Sequence, residues 1–149
     1  MSVVSRSPEA SAGVAENHPQ LLARLLRAWS RQQRSMLTLK SVPAGRYLEV
    51  DPEWAHLVGR DAAQVTGLQD SELFEAGVAT ALRAADQTAM QQAQPLWSEH
   101  RFHWQGRARE FNALRVVQGE VLACLWHDAA DERQREAQLR AAHEQVEQL

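Results

Sequence analysis

The sequence predicts an α+β domain with a five-stranded antiparallel sheet and short helices segregated on one face of the sheet. Three observations support this fold class. Two strand patterns come first, several short helical patterns follow them, and three alternating strands close the domain. Tight turns separate the neighbouring strands, and such turns join antiparallel strands. The 149 residues provide one modest core with terminal extensions, so we expect a single domain.

The N-terminal part of the chain is predicted to be disordered up to residue 16 and helical after it. Residues 1–16 are rich in Ser, Ala, Glu and Pro without periodicity, so we expect them to be disordered. An amphipathic helix is expected over 17–35, with Pro19 in its first turn. Its apolar side chains recur at spacings of three and four and form one stripe: Leu21, Leu22, Leu25, Leu26 and Trp29.

The body of the predicted domain spans residues 36–128 and begins with a hairpin. Its strands, 36–42 and 46–50, flank a turn at Pro43-Ala44-Gly45. Aspartates introduce three short helices and glycines end the first two; these residues are Asp51, Asp61 and Asp70, with Gly59 and Gly67. A longer helix is predicted over 78–94, and three strands follow it at 96–104, 107–117 and 120–127.

Five short motifs occur in order within this body and just beyond it. They are Asp51-Pro52-Glu53-Trp54, Leu57 to Arg60, Val65-Thr66-Gly67, Arg101 to Gly106 and His127 to Arg133. In this order they resemble the PAS domain, the sensory and dimerisation module of bacterial signalling proteins. The sequence departs from that family where Ala130 replaces threonine, Arg60 replaces an aromatic residue and Gln105 replaces aspartate. The resemblance implies a PAS fold flanked by an N-terminal helix and a C-terminal coiled-coil helix.

The resemblance also implies a ligand pocket between the sheet and the short helices. Because side chains alternate along a strand, a register fixed at Asp128 and Gly106 selects the residues that face this pocket. The predicted pocket residues are Trp97, Glu99, Arg101, Phe111, Ala113, Arg115, Leu122, Cys124 and Trp126. A buried arginine requires a partner, so Arg101 or Arg115 would bridge to Glu99 or bind an anionic ligand such as a carboxylate.

The opposite face of the sheet is predicted to be apolar. The same register assigns to it His100, Phe102, Trp104, Leu114, Val116 and Leu125. A patch of this extent needs cover, which the N-terminal helix would supply either within one chain or across a homodimer. We expect the homodimer, with interface residues Leu22, Leu25, Leu26 and Trp29 on this helix.

The C-terminal segment, 129–149, is predicted to be a coiled-coil helix. Its seam consists of Leu139, Ala142, Val146 and Leu149, spaced three, four and three residues apart. A solvated helix packed on its own domain is the alternative, because only about two heptads are present. Asp128 is the predicted signal exit, where the last strand passes into the helix. The expected continuation is an output domain in cis, such as a histidine kinase or a diguanylate cyclase.

Other classes of function find little support in the sequence. A formal charge of -3 disfavours a nucleic-acid surface, and no apolar run approaches the roughly 20 residues that cross a bilayer, so we expect a cytoplasmic protein. Cys124 is the only cysteine and the helix over 78–94 has no histidine, so the sequence predicts no metal site, haem or flavin. No catalytic motif is recognisable, and we expect no enzyme.

Two hypotheses for function follow from this reading. The first is a cytoplasmic PAS sensor that binds a small organic ligand and relays its state through the dimeric coiled coil. The second is a ligand-free PAS scaffold that only sets dimer geometry. The contents of the pocket separate them, because a cavity with unpaired arginines favours the sensor and a filled interior with paired charges favours the scaffold.

Overall fold

The computed structural model describes residues 8–104 and 106–148. The chain divides after Gln33 into two compact units, of which the second contains the sheet. The helices are α1 Pro8–Gln32, α2 Pro52–Leu57, α3 Ala62–Val65, α4 Asp70–Leu73, α5 Ala76–Gln91 and α6 Ala129–Glu147. The strands are β1 Met36–Ser41, β2 Tyr47–Val50, β3 Leu96–Trp104, β4 Arg107–Gln118 and β5 Val121–Asp128.

The described part of the N-terminal unit is the helix α1. It begins at Pro8 rather than at the predicted residue 17, so Pro19 lies inside the helix and not in its first turn. Residues 1–7, which share the prediction of disorder, lie outside the described residues. The apolar stripe of α1 is solvent-exposed: Leu25 is 65% exposed and Trp29 is 48% exposed.

The second unit is built on a five-stranded antiparallel sheet in the order β2-β1-β5-β4-β3. The sequence prediction of the fold class is confirmed, and the strands lie within two residues of their predicted bounds. Gly106 and Gly119 follow β3 and β4 in the tight turns of two hairpins, and both adopt positive φ angles, of 77° and 59°. A residue with a side chain rarely adopts this conformation, which explains the glycine at each turn.

The register of β3 differs from the predicted one by a single residue. Centring the hairpin on Gly106 would place Arg101 opposite Phe111, whereas the structure pairs His100 with Phe111. Because successive side chains point to opposite faces, a slip of one residue reverses the whole strand. The outward side chains of β3 are therefore Trp97, Glu99 and Arg101, all exposed, and the inward ones include His100 and Phe102. The prediction that Trp97, Glu99 and Arg101 face a pocket is wrong.

The inner face of the sheet carries a closely packed aromatic core. The six remaining predicted pocket residues are all buried on this face: Phe111, Ala113, Arg115, Leu122, Cys124 and Trp126. The ring centroids of Trp126 and Trp54, a residue of α2, lie 6.0 Å apart. Phe102 stacks on Phe111 with centroids 5.4 Å apart, and edge-to-face contacts continue this cluster to Phe74. The chain's own side chains thus occupy this part of the interior.

The C-terminal helix α6 follows β5 without a connecting loop. Two of its predicted seam residues are largely exposed, Leu139 at 71% and Val146 at 66%. Ala142 is exposed as well, and Leu149 lies outside the described residues. The described seam therefore has little contact with its own domain.

Candidate functional site

A network of polar side chains lies inside the domain, between the sheet and helices α4 and α5. Its members are Lys40, Tyr47, Asp70, Asp86, Ser98, His100 and Arg115. All of them are buried except Ser98, which is half-buried. We refer to these seven residues as the buried network.

One end of the buried network is organised around Lys40, the only lysine in the sequence. Its Nζ donates to Asp70 Oδ2 and, at 2.8 Å, to Asp86 Oδ2. The hydroxyl of Tyr47 donates to the other oxygen of Asp70. Burial and the neighbouring Asp70 carboxylate raise the pKa of Tyr47 well above its ordinary value, so the phenol stays protonated and remains a donor.

The other end of the buried network is organised around Arg115 on β4. Its Nε donates to Asp86 Oδ1 at 2.8 Å, and one terminal nitrogen lies 2.6 Å from Ser98 Oγ and 2.9 Å from His100 Nε2. An arginine only donates, so His100 Nε2 must be the unprotonated ring nitrogen. Burial, reinforced by the Arg115 charge, lowers the pKa of His100 to about 4, and the imidazole is neutral at pH 7.

The formal charges of the buried network balance. Two carboxylates face one ammonium and one guanidinium group, and each of the four carboxylate oxygens accepts a hydrogen bond. A buried charge is tolerated only when it is paired and hydrogen-bonded. The residues of the network therefore balance each other's charges and supply the hydrogen bonds that both carboxylates need, without a bound ion.

Arg115 was predicted to pair with Glu99 or to bind a ligand, and its carboxylate partner is Asp86 instead. Arg101 pairs with Glu110, with Nη2 and Oε1 3.0 Å apart, on the exposed face of the sheet. The predicted bridge to Glu99 is therefore wrong for both arginines, since the register of β3 carries Glu99 outward.

Sequence reasoning missed the two aspartates and the lysine of the buried network, although the sequence contains a signal for Asp86 and for Lys40. Asp86 lies on the buried stripe of α5, together with Ala79, Leu82 and Ala89. Lys40 continues the inward alternation of β1 after Met36 and Thr38. A charged residue on an otherwise apolar face predicts a buried partner of opposite charge.

A cleft of about 520 Å³ lies on the other side of the same two aspartates. Its walls are the turn between β1 and β2, the start of α4 and one face of α5. The lining residues are Val42, Pro43, Ala44, Gly45, Gln69, Asp70, Ser71, Ala76, Ala79, Thr80, Arg83, Asp86, Gln87 and Met90. We refer to this space as the α5 cleft, and none of the nine predicted pocket residues lines it.

The family model of the PAS fold matches residues 30–134, which is more than half of the chain. The chain belongs to the PAS fold family. The sequence resemblance to this family is thereby confirmed. No curated protein matches this PAS domain in sequence.

Solved structures show the same fold. The PAS domain of the RpfR quorum-sensing receptor from Cronobacter turicensis, in complex with BDSF, is 17% identical with a TM-score of 0.56, and the match covers 64% of this chain and 93% of that chain. The PAS domain of BvgS from Bordetella pertussis is 16% identical with a TM-score of 0.51, over 85% and 98% of the two chains. A sensory box histidine kinase/response regulator from Burkholderia thailandensis is 15% identical with a TM-score of 0.54, over 83% and 98%. At these identities the likeness concerns the fold alone.

The end of the PAS domain at Asp128 is joined to α6 by side-chain contacts. Asp128 caps the helix by accepting hydrogen bonds from the backbone N–H groups of Ala130, at 2.8 Å, and Asp131, at 3.3 Å. The carboxylate thus caps the helix through backbone donors, which alanine at position 130 supplies as well as threonine would. Arg109 Nη2 of β4 lies 3.5 Å from the same carboxylate.

Two further contacts join the first turns of α6 to β4. Asn112 Nδ2 donates to Glu132 Oε2 at 2.7 Å, and Arg133 forms an ion pair with Glu110. The hydrogen bond from Arg133 lowers the pKa of Glu110, so this carboxylate is charged at neutral pH. The N-terminal part of α6 is therefore attached to β4 as well as to β5.

The thiol of Cys124 is not a candidate nucleophile. Burial raises its pKa to about 12, so almost no thiolate exists at pH 7. Within residues 8–104 and 106–148, no cluster of three or more His, Cys, Asp or Glu side chains has the arrangement of a metal site. Across the same part of the chain, no helix has the length and apolar character needed to span a membrane.

Proposed function

We propose that this PAS domain is a regulatory module of a bacterial signal-transduction protein. In this role it is cytoplasmic, forms a homodimer, and passes its conformational state through α6 to an output domain in cis, such as a histidine kinase or a diguanylate cyclase. The domain regulates the output and catalyses no reaction itself. The observation that carries this proposal is the attachment of α6 to β4 and β5 through Asp128, Asn112 and Glu110.

Strand β4 links the interior of the domain to this exit. Its inward side chain Arg115 belongs to the buried network, and its outward side chains Glu110 and Asn112 contact α6. A displacement of β4 would therefore act on both sets of contacts at once. An input can shift such an equilibrium only by as much as its affinities for the two arrangements differ.

Exposed apolar side chains on both flanking helices support the homodimer. The stripe of α1 includes Leu22, Leu25, Leu26 and Trp29, and the seam of α6 includes Leu139 and Val146. All six are at least 46% exposed in the single chain, and a row of exposed large apolar residues is typical of a protein interface. A two-fold axis would bring each row against its own copy.

The ligand-free alternative receives specific support from the buried network. Arg115 has the partner Asp86, and aromatic side chains fill the region where the pocket was predicted. These observations favour a scaffold over a sensor that holds a ligand at Arg115. The similar RpfR domain is described in complex with BDSF and with C12:0, so a small organic ligand remains part of the sensor proposal for this chain.

Disulfide crosslinking of the 149-residue chain tests the coiled coil of the dimer. We expect Leu139→Cys, on the seam, to form crosslinked dimers rapidly under mild oxidation. The matched control Glu144→Cys lies on the opposite side of the helix and should crosslink slowly. The native Cys124 is 2% exposed and does not compete. Equal rates at the two positions would contradict the seam.

The relay and the N-terminal interface are tested on the same chain. Asn112→Ala removes one contact between β4 and α6 and should change the crosslinking rate of Leu139→Cys. An unchanged rate would contradict the proposed relay from β4 to α6.

A Leu25→Glu, Leu26→Glu variant should halve the mass measured by light scattering. An unchanged mass would exclude the α1 interface.

A further inference from the structure

We propose that the α5 cleft is a ligand site that takes a small amphipathic carboxylate, with its charged group at Arg83 and its apolar body between α5 and the turn at residues 42–45. This site is separate from the interior pocket that the family resemblance implies. It lies in the sheet unit and opens beside Asp70 and Asp86, the two aspartates of the buried network.

The shape of the cleft follows from small residues along one face of α5. Ala76, Ala79 and Thr80 line it in the first turns of the helix, where larger side chains would close the space. Val42 and Pro43 form the facing wall, and Met90 lies at the far end of the helix face. The volume of about 520 Å³ falls within the range of small-molecule sites, about 300 to 1,000 Å³.

The inner boundary of the cleft carries no uncompensated charge. Asp70 and Asp86 line it, but their carboxylate oxygens already accept bonds from Lys40, Tyr47 and Arg115. Both aspartates are 7% exposed, so little of their surface is available to a ligand. A cationic ligand would therefore find no unpaired carboxylate there.

Arg83 determines the sign of the charge that the cleft favours. Its side chain lines the cleft and is exposed, and among the described residues it forms no hydrogen bond or ion pair. A guanidinium group binds a carboxylate with two parallel hydrogen bonds. The apolar walls exclude a ligand that is charged throughout, which leaves a compact apolar body with one carboxylate.

The site also has a physical connection to the exit of the domain, and this part of the inference rests on the proposed function. A ligand in the cleft would lie against α5 and α4, the two helices that carry Asp86 and Asp70. These aspartates hold Lys40 on β1 and Arg115 on β4. Strand β4 in turn contacts α6 through Glu110 and Asn112. Occupancy of the cleft would reach α6 through these contacts.

Titration of the full chain with octanoate, followed by amide NMR, tests the site. We expect saturable shifts at the amides of Val42, Ala44 and Gly45, of residues 69–71 and of the cleft face of α5. Arg83→Gln should weaken binding about tenfold, because it removes a charge-assisted pair. Ala76→Phe, an exposed position that lines the cleft, should abolish binding by filling the space. Arg107→Gln is the matched control, since Arg107 is exposed and lies outside the cleft, and it should bind like the parent.

Several outcomes would overturn the inference. Octylamine binding as tightly as octanoate would refute the anionic class, and shifts centred on Phe111 and Trp126 would place the ligand in the interior. If no saturable shifts appear, or if both Arg83→Gln and Ala76→Phe bind octanoate with full affinity, the α5 cleft is not a ligand site. Octanoate binding in the cleft with unchanged Leu139→Cys crosslinking would retain the site and exclude the relay. Seam crosslinking without octanoate binding would exclude the site alone.

Discussion

The buried network and the α5 cleft lie on two sides of the same pair of carboxylates, Asp70 and Asp86. The cations on the two sides differ in whether they have an ion-pair partner. On the inner side, Lys40 and Arg115 are both paired with Asp70 or Asp86. On the outer side, Arg83 lines the cleft and has no ion-pair partner among the described residues. The deeply buried Arg115 is therefore a poorer candidate for a ligand than Arg83. A buried cation is tolerated only when it is paired within the chain, because burial removes its hydration. An exposed cation is hydrated and needs no partner within the chain, so it can pair with a ligand.

Removing Lys40, the cation that two carboxylates share, should destabilise the domain most. Lys40→Met leaves Asp70 and Asp86 partly uncompensated in the interior, and we expect a loss of about 3 to 5 kcal/mol in the free energy of unfolding, measured in urea. The control Arg107→Met removes an exposed cation and should stay within about 0.5 kcal/mol. Similar losses of unfolding free energy in the two variants would show that the buried ion pairs of Lys40 stabilise the domain no more than an exposed cation does.

The single lysine offers a second measurement of the same pairing. Because Lys40 is 3% exposed, reductive methylation of the folded chain should label the N-terminal amine and spare Lys40. Labelling of Lys40 should appear only when urea opens the domain. Rapid labelling in native buffer would show that the ammonium group is accessible and contradict the closed interior.

The second largest effect concerns pH. The pKa of His100 falls from 6.5 to about 4 on folding, so between these values the unfolded chain binds a proton that the folded chain does not. Stability should therefore decrease as the pH is lowered from 6.5 to 4, by about 2 kcal/mol after allowance for partial solvation. His100→Gln keeps an acceptor for Arg115 but does not titrate, so its stability curve should be flatter. Parallel curves for the two proteins would exclude His100 as the cause.

A smaller effect is expected at the exit. Asp128→Ala removes the side-chain acceptor at the start of α6 and should lower stability by about 1 kcal/mol. Hydrogen exchange should accelerate in the first turn of α6, at Ala130 and Asp131, and remain unchanged in the buried network. Asp128→Ser retains an acceptor and should recover most of the loss. Failure of serine to do so would indicate that the contact with Arg109, rather than the cap, is what matters.

The fold was predictable from the sequence because its signals are local. Strand alternation and turn glycines predict the elements from residues close together in the chain, and the order of elements fixes the fold class. The aspartates mark the starts of the short helices but do not all cap them, since Asp51 forms no side-chain cap bond and the N-cap of α4 is Gln69. The start of α1, a local boundary, still differs from the prediction. The helix α1 begins at Pro8 and contains Pro19, because a proline inside a helix can be mistaken for a start signal.

The candidate site was less predictable because it depends on register and on contacts distant in sequence. A one-residue slip between β3 and β4 moved Trp97 and Arg101 outward and His100 inward. The pairing of Arg115 with Asp86 joins residues 29 positions apart, on a strand and a helix. Strand periodicity predicts which residues are buried but not which partner a buried charge finds.

A double-mutant cycle between Asp86 and Arg115 tests most directly whether the interior charges are partners of each other. The free energy of unfolding is measured for the parent, Asp86→Asn, Arg115→Gln and the double variant. The expected coupling energy is about 2 kcal/mol, with the double variant less destabilised than the sum of the single ones, because each single change leaves one buried charge without its partner. A coupling energy near zero would show that Arg115 does not depend on Asp86, and it would return Arg115 to the role of a ligand-binding residue in the interior.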